Sequence, residues 1–397
     1  MTEERLVVVG ASLAGLRAVE AARRKGFAGK ITLIGAEPHL PYDRPPLSKE
    51  FLTTDAEPAY FRAEEALRSD LGVDLRLGTP ATALLPGERV VAVGDEEVSY
   101  TAAVLATGAT ARNLRGAPDL RGVHTLRGID DASAIRAKLA PGVRVVVIGA
   151  GFIGSEVACS ARRRGADVTV VEAAPVPLVR AVGERLGAAC SALHERNGTL
   201  VRCGAGVESI EGTESVEGVR LTDGTTLPAD LVIVGVGVTP ETGWLEGSGL
   251  RVDDGVVCDE NLATDAPGVY AAGDVARWPN PLFGQQMRLE HWTTAAEQGM
   301  LAARNAIRPA EAKECATVPY FWSDLYDSRI QFVGVPEADE IAVVSGDLAS
   351  DSFLALYRRD DLVIGALGLN QRRAVMKLRQ MIGKRARWDE ALAAIAS

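Results

Sequence analysis

Cysteine is sparse and poorly spaced for chemistry. Cys159, Cys190, Cys203, Cys258 and Cys315 form no CxxC or CxxxxC pair. The spacing argues against a disulfide framework, a zinc knuckle and a locally ligated iron–sulfur cluster. Small buried apolar side chains are the expectation for all five. Aromatic residues make up only 5% of the chain, so its cores must be built from Ala, Val, Leu and Ile. Positive charge is in deficit, with a net charge of -10. General nucleic-acid binding needs the opposite balance. No apolar run approaches the roughly 18 residues of a membrane span. The opening Met1-Thr-Glu-Glu-Arg leads straight into Leu6 to Val9 and lacks the pattern of a secretory signal. A soluble, cytoplasmic protein is the default expectation, and a membrane is not the expected partner. The four histidines, His39, His124, His194 and His291, have no partners at metal-ligand spacing, and no metal site is expected.

What the chain does have is size and repetition. Its 397 residues, 47% hydrophobic, suffice for two or three domains. Leu6-Val-Val-Val is a β-branched run ending in a glycine-rich turn. A helical stretch follows from about Leu13 to Lys25, and then Lys30-Ile-Thr-Leu-Ile reads as a strand. The order recurs with the strand Arg144-Val-Val-Val-Ile, a helix from Phe152 to Arg164, and the strand Asp167-Val-Thr-Val-Val-Glu. Strand, helix, strand at this length is a βαβ unit with a helical crossover. Alternating segments follow each unit, at Glu88 to Tyr100 and Val216 to Leu227. Each ends in an apolar strand and glycine: Ala103-Val-Leu-Ala-Thr107-Gly108 and Leu231-Val-Ile-Val-Gly235. From Pro319 the pattern changes to concentrated aromatics and short alternating runs at Ile341 to Val344, Phe353 to Tyr357 and Leu362 to Ala366. A helix is expected from Gln371 to Ile382.

The turns after the two leading strands are Gly10-Ala-Ser12-Leu13-Ala14-Gly15 and Gly149-Ala-Gly151-Phe152-Ile153-Gly154. The second matches GxGxxG in full; the first has Ser for the middle Gly. The first glycine of such a loop makes the tight turn. The middle position lets backbone N–H groups approach a pyrophosphate, and the last lets helix and sheet pack closely. The anion then rests on a helix N-terminus. A carboxylate ends the next strand in each unit, at Glu37 (preceded by Ala36) and Glu172. That is the position of a ribose-binding acid, and an acid there selects against a 2′-phosphate. The next arginine after Glu172 is Arg180, so NADH is favoured over NADPH. The fold expected is α/β: two Rossmann-like dinucleotide-binding domains and a smaller α+β C-terminal domain.

Further motifs are more specific. Pro41-Tyr-Asp-Arg44-Pro-Pro-Leu-Ser-Lys49 looks like PYxRPPLSK. Thr107-Gly108 closes an ATG strand, Leu126-Arg127 precedes Asp130-Asp131, and Thr264 to Asp274 ends in Gly273-Asp274. Glu290-His291-Trp292 precedes Gln298-Gly299, and Pro319-Tyr-Phe-Trp322-Ser-Asp324 opens the last region. In these elements the chain resembles the FAD-dependent NADH:ferredoxin reductase family, of the putidaredoxin reductase and dioxygenase-system type, over nearly its whole length. It departs at Ser12, at Leu325 where the family often has Gln, and after about Ala366.

The resemblance implies an FAD-binding domain at 1–112 and 241–318, interrupted by an NADH-binding domain at 113–240 and followed by a C-terminal domain at 319–397. It implies that Arg44 pairs with an FAD phosphate, that Asp274 accepts bonds from the ribityl chain, and that Arg127 and the backbone at Ala81 touch pyrophosphate and adenine. Gly10 to Gly15, Ala36, Glu37, Thr107, Gly108, Gly273, Glu290 and His291 join the FAD site, with Trp292 and Trp322 near the isoalloxazine. Gly149 to Gly154, Glu172 and Gly235 would hold NADH. Lys49, paired with Glu156, would shape the nicotinamide pocket, and these two are the candidate catalytic residues. Hydride would pass from NADH to FAD, and single electrons from there to a ferredoxin serving a cytochrome P450 or Rieske oxygenase. Arg358, Arg359, Arg372, Arg373, Lys377, Arg379, Lys384, Arg385 and Arg387 would steer that acidic partner. A disulfide or peroxide reductase on the same scaffold needs a redox Cys near the flavin, and none precedes Cys159. A membrane-associated NADH:quinone reductase, anchored by the basic and apolar helix from Gln371 to Ile382, and a non-enzymatic NADH-sensing flavoprotein are the alternatives.

Overall fold

Runs of consecutive apolar residues such as 6–9 and 145–148 must be covered on both faces, and two sheets built around such runs organise this chain. The computed structural model describes residues 3–116 and 118–396, which leaves Met1 and Thr2 outside it. The side chain of Arg180 is likewise outside the description. The chain divides into two compact units. One comprises Met1–Asp43, Ala59–Thr110 and Thr239–Pro319; the other comprises Arg44–Pro58, Ala111–Val238 and Tyr320–Ser397.

The first unit is built on a five-stranded sheet in the order Val269–Ala271, Ala102–Leu105, Arg5–Val9, Lys30–Ile34, Val73–Arg76. All four pairings are parallel. Leu6, Val8, Ile31, Leu33, Val104 and Leu105 are fully buried in it. Each such side chain contributes on the order of 1.5–3 kcal/mol of transfer free energy. Val9 is level with both Ile34 and Leu105, so the following Gly10 emerges at the carboxyl edge of the sheet. The helix Leu13–Arg24 packs against the helix Trp292–Ile307. Their approach depends on Gly299, where an added Cβ would lie 2.2 Å from the Ala14 carbonyl oxygen. A three-stranded antiparallel sheet, Ala81–Leu85, Val90–Val93 and Glu96–Ser99, completes the unit's excursion.

The second unit repeats the design. Its parallel sheet runs Leu200–Cys203, Asp167–Glu172, Arg144–Ile148, Leu231–Val234, Val123–Thr125. A small antiparallel sheet, Val207–Gly212, Val216–Leu221 and Thr226–Pro228, packs its apolar residues into the same core as Val146, Ile148 and Val232. The same unit contains a five-stranded antiparallel sheet ordered Tyr320–Leu325, Ser328–Gly334, Leu362–Leu369, Phe353–Arg359, Glu340–Gly346. The helix Arg372–Gly383 buries Val375, Leu378 and Ile382 and packs on the central strand Leu362–Leu369 and its neighbour Ser328–Gly334. Gly368 makes room for it, since a Cβ there would lie 2.5 Å from the Val375 side chain. A last helix, Trp388–Ala396, was not anticipated from the sequence. The architecture is α/β, with two Rossmann-like sheets and an antiparallel C-terminal sheet.

Candidate functional site

In the first unit the glycine loop joins the end of Arg5–Val9 to the helix Leu13–Arg24. Gly10 adopts φ +116°, and a Cβ there would lie 2.0 Å from the Ala106 carbonyl oxygen. At Gly15 a Cβ would lie 1.9 Å from the Gly10 carbonyl oxygen. Both positions are fixed by packing within the protein. Ser12 has ordinary extended backbone, φ −111°, so a side chain costs nothing there. The helix has no acid in its first turn, and its N-terminal N–H groups and dipole favour an anion. Glu37 is half-buried after Lys30–Ile34 and accepts a 2.6 Å hydrogen bond from the Tyr42 hydroxyl. Ala36 beside it is exposed.

Four more candidates share that carboxyl edge. Thr107 donates from its hydroxyl to the Glu241 carbonyl, 2.8 Å away, and Gly108 has φ +70°. Gly273 and Asp274 follow Val269–Ala271, and the Gly273 N–H donates to Gln298 Oε1 at 2.9 Å. Gln298 is buried on the helix Trp292–Ile307. At the start of that helix, Trp292 Nε1 donates to Asp43 at 2.7 Å. His291 precedes it. Burial pushes its imidazole down to about 4, with the Asp274 charge acting in the opposite sense. Glu290 is exposed and pairs at 2.8 Å with Arg288, which also meets Asp254 at 3.1 Å. Ala81 stands apart from this edge, on the small antiparallel sheet, opposite Val93.

In the second unit the loop after Arg144–Ile148 has the same construction. Gly149 has φ +98°, and a Cβ there would lie 2.4 Å from the Gly235 carbonyl oxygen. At Gly154 a Cβ would lie 2.0 Å from the Gly149 carbonyl oxygen. Gly151 is different. Its φ is −72° and a Cβ there would meet no atom within 4 Å. Neither conformation nor packing requires glycine at Gly151. Glycine there leaves the backbone at the N-terminus of the helix Phe152–Arg163 open to close approach by a pyrophosphate, and the residues fit a dinucleotide in this respect. Ile153 is exposed beside the loop. Glu172 has a structural task as well: its two carboxylate oxygens accept the Ala150 N–H at 2.7 Å and the Ala174 N–H at 2.9 Å. The carboxylate therefore holds the glycine loop while retaining lone pairs for hydroxyl donors.

The second unit also contains Arg44, Lys49, Arg127, Glu156 and Trp322. Arg44 donates to the Arg127 carbonyl at 2.7 Å. Asp131 caps this turn, accepting from the N–H groups of Arg127 and Gly128 at 2.8 and 2.9 Å. Lys49 Nζ lies 2.6 Å from Glu156 Oε2 and 3.1 Å from the Pro45 carbonyl. Ser48 donates to the same Oε2 at 2.5 Å, and Ser323 donates to Oε1 at 2.7 Å. Trp322 stacks on Tyr320, with centroids 5.8 Å apart and Arg379 above the Tyr320 ring. Ser48 and Ser323 were not expected as partners of Glu156: both lie inside the PYxRPPLSK-like and Pro319 to Asp324 motifs, but nothing in their spacing points to a shared acceptor. The bond from Trp292 to Asp43 was not expected either.

All five cysteines are free thiols, and burial raises every one. Cys190, Cys258 and Cys315 reach about 12. None is placed to be a thiolate near neutral pH. Among the described residues no helix is long and apolar enough to cross a membrane.

Comparison with known proteins places this geometry in context. The family described as pyridine nucleotide-disulphide oxidoreductase matches residues 4–299, and the reductase C-terminal family matches residues 320–396. The chain is 36% identical over 386 residues to the ferredoxin–NAD(+) reductase component of the anthranilate 1,2-dioxygenase system of Burkholderia cepacia, covering 96% of this chain and 95% of that one. It is 34% identical over 378 residues to putidaredoxin reductase of Pseudomonas putida, covering 93% and 89%. Among solved structures, the covalent putidaredoxin reductase–putidaredoxin complex superposes with a TM-score of 0.92 at 33% identity, covering 96% of this chain and 93% of that one.

Proposed function

From the premise that this chain belongs to the pyridine nucleotide-disulphide oxidoreductase family and carries its reductase C-terminal domain, we infer that it is an FAD flavoprotein that oxidises NADH and delivers single electrons to an iron–sulfur ferredoxin. The open position at Gly151, glycine without a reason internal to the protein, is the observation that carries the dinucleotide assignment. The division of labour is also proposed. Gly10 to Gly15, Glu37, Thr107, Gly108, Asp274 and the Glu290–Trp292 turn serve FAD, together with Ala36, Ala81, Arg44, Arg127, Gly273 and Trp322. Gly149 to Gly154, Glu172 and Gly235 serve NADH. Bound FAD would supply the conversion of a two-electron hydride input into one-electron outputs.

The chain's own residues bind, orient and set charge. The helix N-termini take the pyrophosphates. Glu172 meets ribose hydroxyls and repels a 2′-phosphate. His291, held neutral near pH 7, adds no charge beside Asp274. The Lys49 ammonium, held at 2.6 Å by the buried Glu156 carboxylate, serves the nicotinamide site. No side-chain nucleophile is needed, which agrees with the raised thiols. A disulfide substrate would need a reactive thiolate, and these five are unsuited to the task. A ferredoxin of a cytochrome P450 or Rieske oxygenase system is the proposed acceptor, met by the basic helix Arg372–Gly383, and the cytoplasm is the proposed compartment.

The test is direct. The purified protein should be yellow, should bleach on anaerobic addition of NADH, and should reduce a [2Fe–2S] ferredoxin faster with NADH than with NADPH. A colourless protein that takes up no FAD overturns the reading. Rapid quinone reduction with no ferredoxin reduction replaces the acceptor only.

A further inference from the structure

The helix Phe152–Arg163 presents one stripe to the hairpin formed by Tyr320–Leu325 and Ser328–Gly334. Residues 152, 156, 159 and 163 recur at helical spacing, and each meets the hairpin. Phe152 packs on Phe321 with centroids 4.3 Å apart. Glu156 accepts from Ser323 at 2.7 Å. Cys159 Sγ accepts the Tyr326 N–H at 2.9 Å. Arg163 donates to the Tyr326 carbonyl and pairs with Asp327 at 3.3 Å. Phe152, Cys159 and Arg163 contribute packing, backbone bonds and a surface ion pair. The bond from Ser323 reaches a carboxylate already engaged by Lys49.

That carboxylate is almost wholly withdrawn from water: Glu156 is 3% exposed, Ser48 1% and Ser323 0%. A buried charge persists only when it is paired and hydrogen-bonded. Here Oε2 takes Lys49 and Ser48, and Oε1 takes Ser323. The terminal torsion of a glutamate is soft, so the bond to Oε1 sets which way Oε2 points. Lys49 is a point charge on a flexible four-carbon stem. Its position follows from where Oε2 and the Pro45 carbonyl lie.

We propose that Ser323 is a positioning residue for the Lys49–Glu156 pair. Its hydroxyl, supplied by the antiparallel sheet, fixes the Glu156 carboxylate and through it the Lys49 ammonium. The inference rests on the proposed function, in which that ammonium serves the nicotinamide site.

The experiment compares Ser323→Ala, Ser323→Thr, Glu156→Gln and the double variant Ser323→Ala/Glu156→Gln as full-length flavoproteins. Two readouts are taken: the single-turnover rate of flavin reduction by NADH with its KM, and urea unfolding. Losing one hydrogen bond to a buried charge corresponds to about a tenfold effect. Ser323→Ala should therefore slow flavin reduction about tenfold with KM nearly unchanged, and Ser323→Thr should recover most of it. In the Glu156→Gln background the alanine should add little to either readout, because the charge it served is gone. Tyr326→Phe is the structural control. It removes a hydroxyl bonded to Thr199 and His194 from the same hairpin, and should weaken unfolding resistance while leaving the reduction rate alone. If Glu156→Gln is slow and Ser323→Ala runs at the parent rate, the positioning role is wrong. If Glu156→Gln itself runs at the parent rate, the functional reading of the pair fails, and this inference with it. Additive unfolding losses would likewise overturn the coupling.

Discussion

Gly151 and Gly154 stand one helical turn apart and answer to different constraints. At Gly154 a Cβ would lie 2.0 Å from the Gly149 carbonyl, and nothing flexible is available to move. At Gly151 a Cβ meets no atom within 4 Å, and its φ of −72° suits any residue. The two substitutions should therefore separate folding from binding. Gly151→Val should fold with nearly the parent melting temperature and keep its FAD, while its KM for NADH rises tenfold or more. Gly154→Val should lose on the order of 3 kcal/mol or more of stability through overpacking against backbone. Thermal melts and steady-state kinetics of the two proteins decide the matter. A parental KM in Gly151→Val would remove the pyrophosphate from that loop. Ser12, the counterpart of Gly151 in the first loop, already carries a side chain in open backbone geometry. The two loops therefore differ in how close they let a ligand's phosphates come.

At the scale of elements, the helices Glu184–Arg196 and Phe152–Arg163 both receive the Tyr320–Gly334 hairpin. Its turn residue Tyr326, at φ +55°, places its hydroxyl 3.1 Å from His194 Nδ1 and 2.7 Å from Thr199. His194 is fully buried, and burial lowers its imidazole from 6.5 to about 4. The unfolded chain therefore binds this proton before the folded one does. Stability from this site is complete above about pH 6.5 and falls as the pH drops toward 4, by about 3 kcal/mol in all. Urea midpoints measured from pH 7 to 4 should show that decline, and His194→Asn should flatten it; an unchanged slope in the variant would refute the assignment. The elements themselves were largely legible in the sequence. The helices expected at Leu13 to Lys25 and Phe152 to Arg164 end one residue earlier, because apolar periodicity runs unbroken until Gly26 and Gly165. The helix expected from Gln371 to Ile382 spans Arg372–Gly383. Long-range partnership was not legible. Ser48, Ser323 and Lys49 converge on Glu156 from segments far apart in the chain, and no local pattern encodes that. Nor does local pattern reveal that Arg44–Pro58 clusters with the second unit.

Charge is the property that only the whole molecule shows. The protein carries a net charge of -10, yet the stretch from Gln371 to Arg387 contains seven basic residues and no acidic one. Arg372, Arg373, Lys377, Lys384 and Arg385 are exposed there. An acidic ferredoxin approaching this surface meets two opposed fields, and their reach differs. At about 0.01 M salt the Debye length is about 30 Å, so the partner senses the repulsive total. At about 0.1 M it is about 10 Å, and only the nearby basic stretch is felt; near 1 M, about 3 Å, both are screened. The second-order rate of ferredoxin reduction should therefore rise between about 0.01 and 0.1 M salt and fall again toward 1 M. Reversing charge in Arg372→Glu/Arg373→Glu removes the attractive field and leaves the repulsive one. That variant should be about tenfold slower near 0.1 M, and its rate should climb with salt throughout. Reduction of its flavin by NADH, followed in the same stopped-flow traces, should be unchanged. A parent rate that only falls with salt, together with a variant indistinguishable from it, would place the partner on another face of the protein.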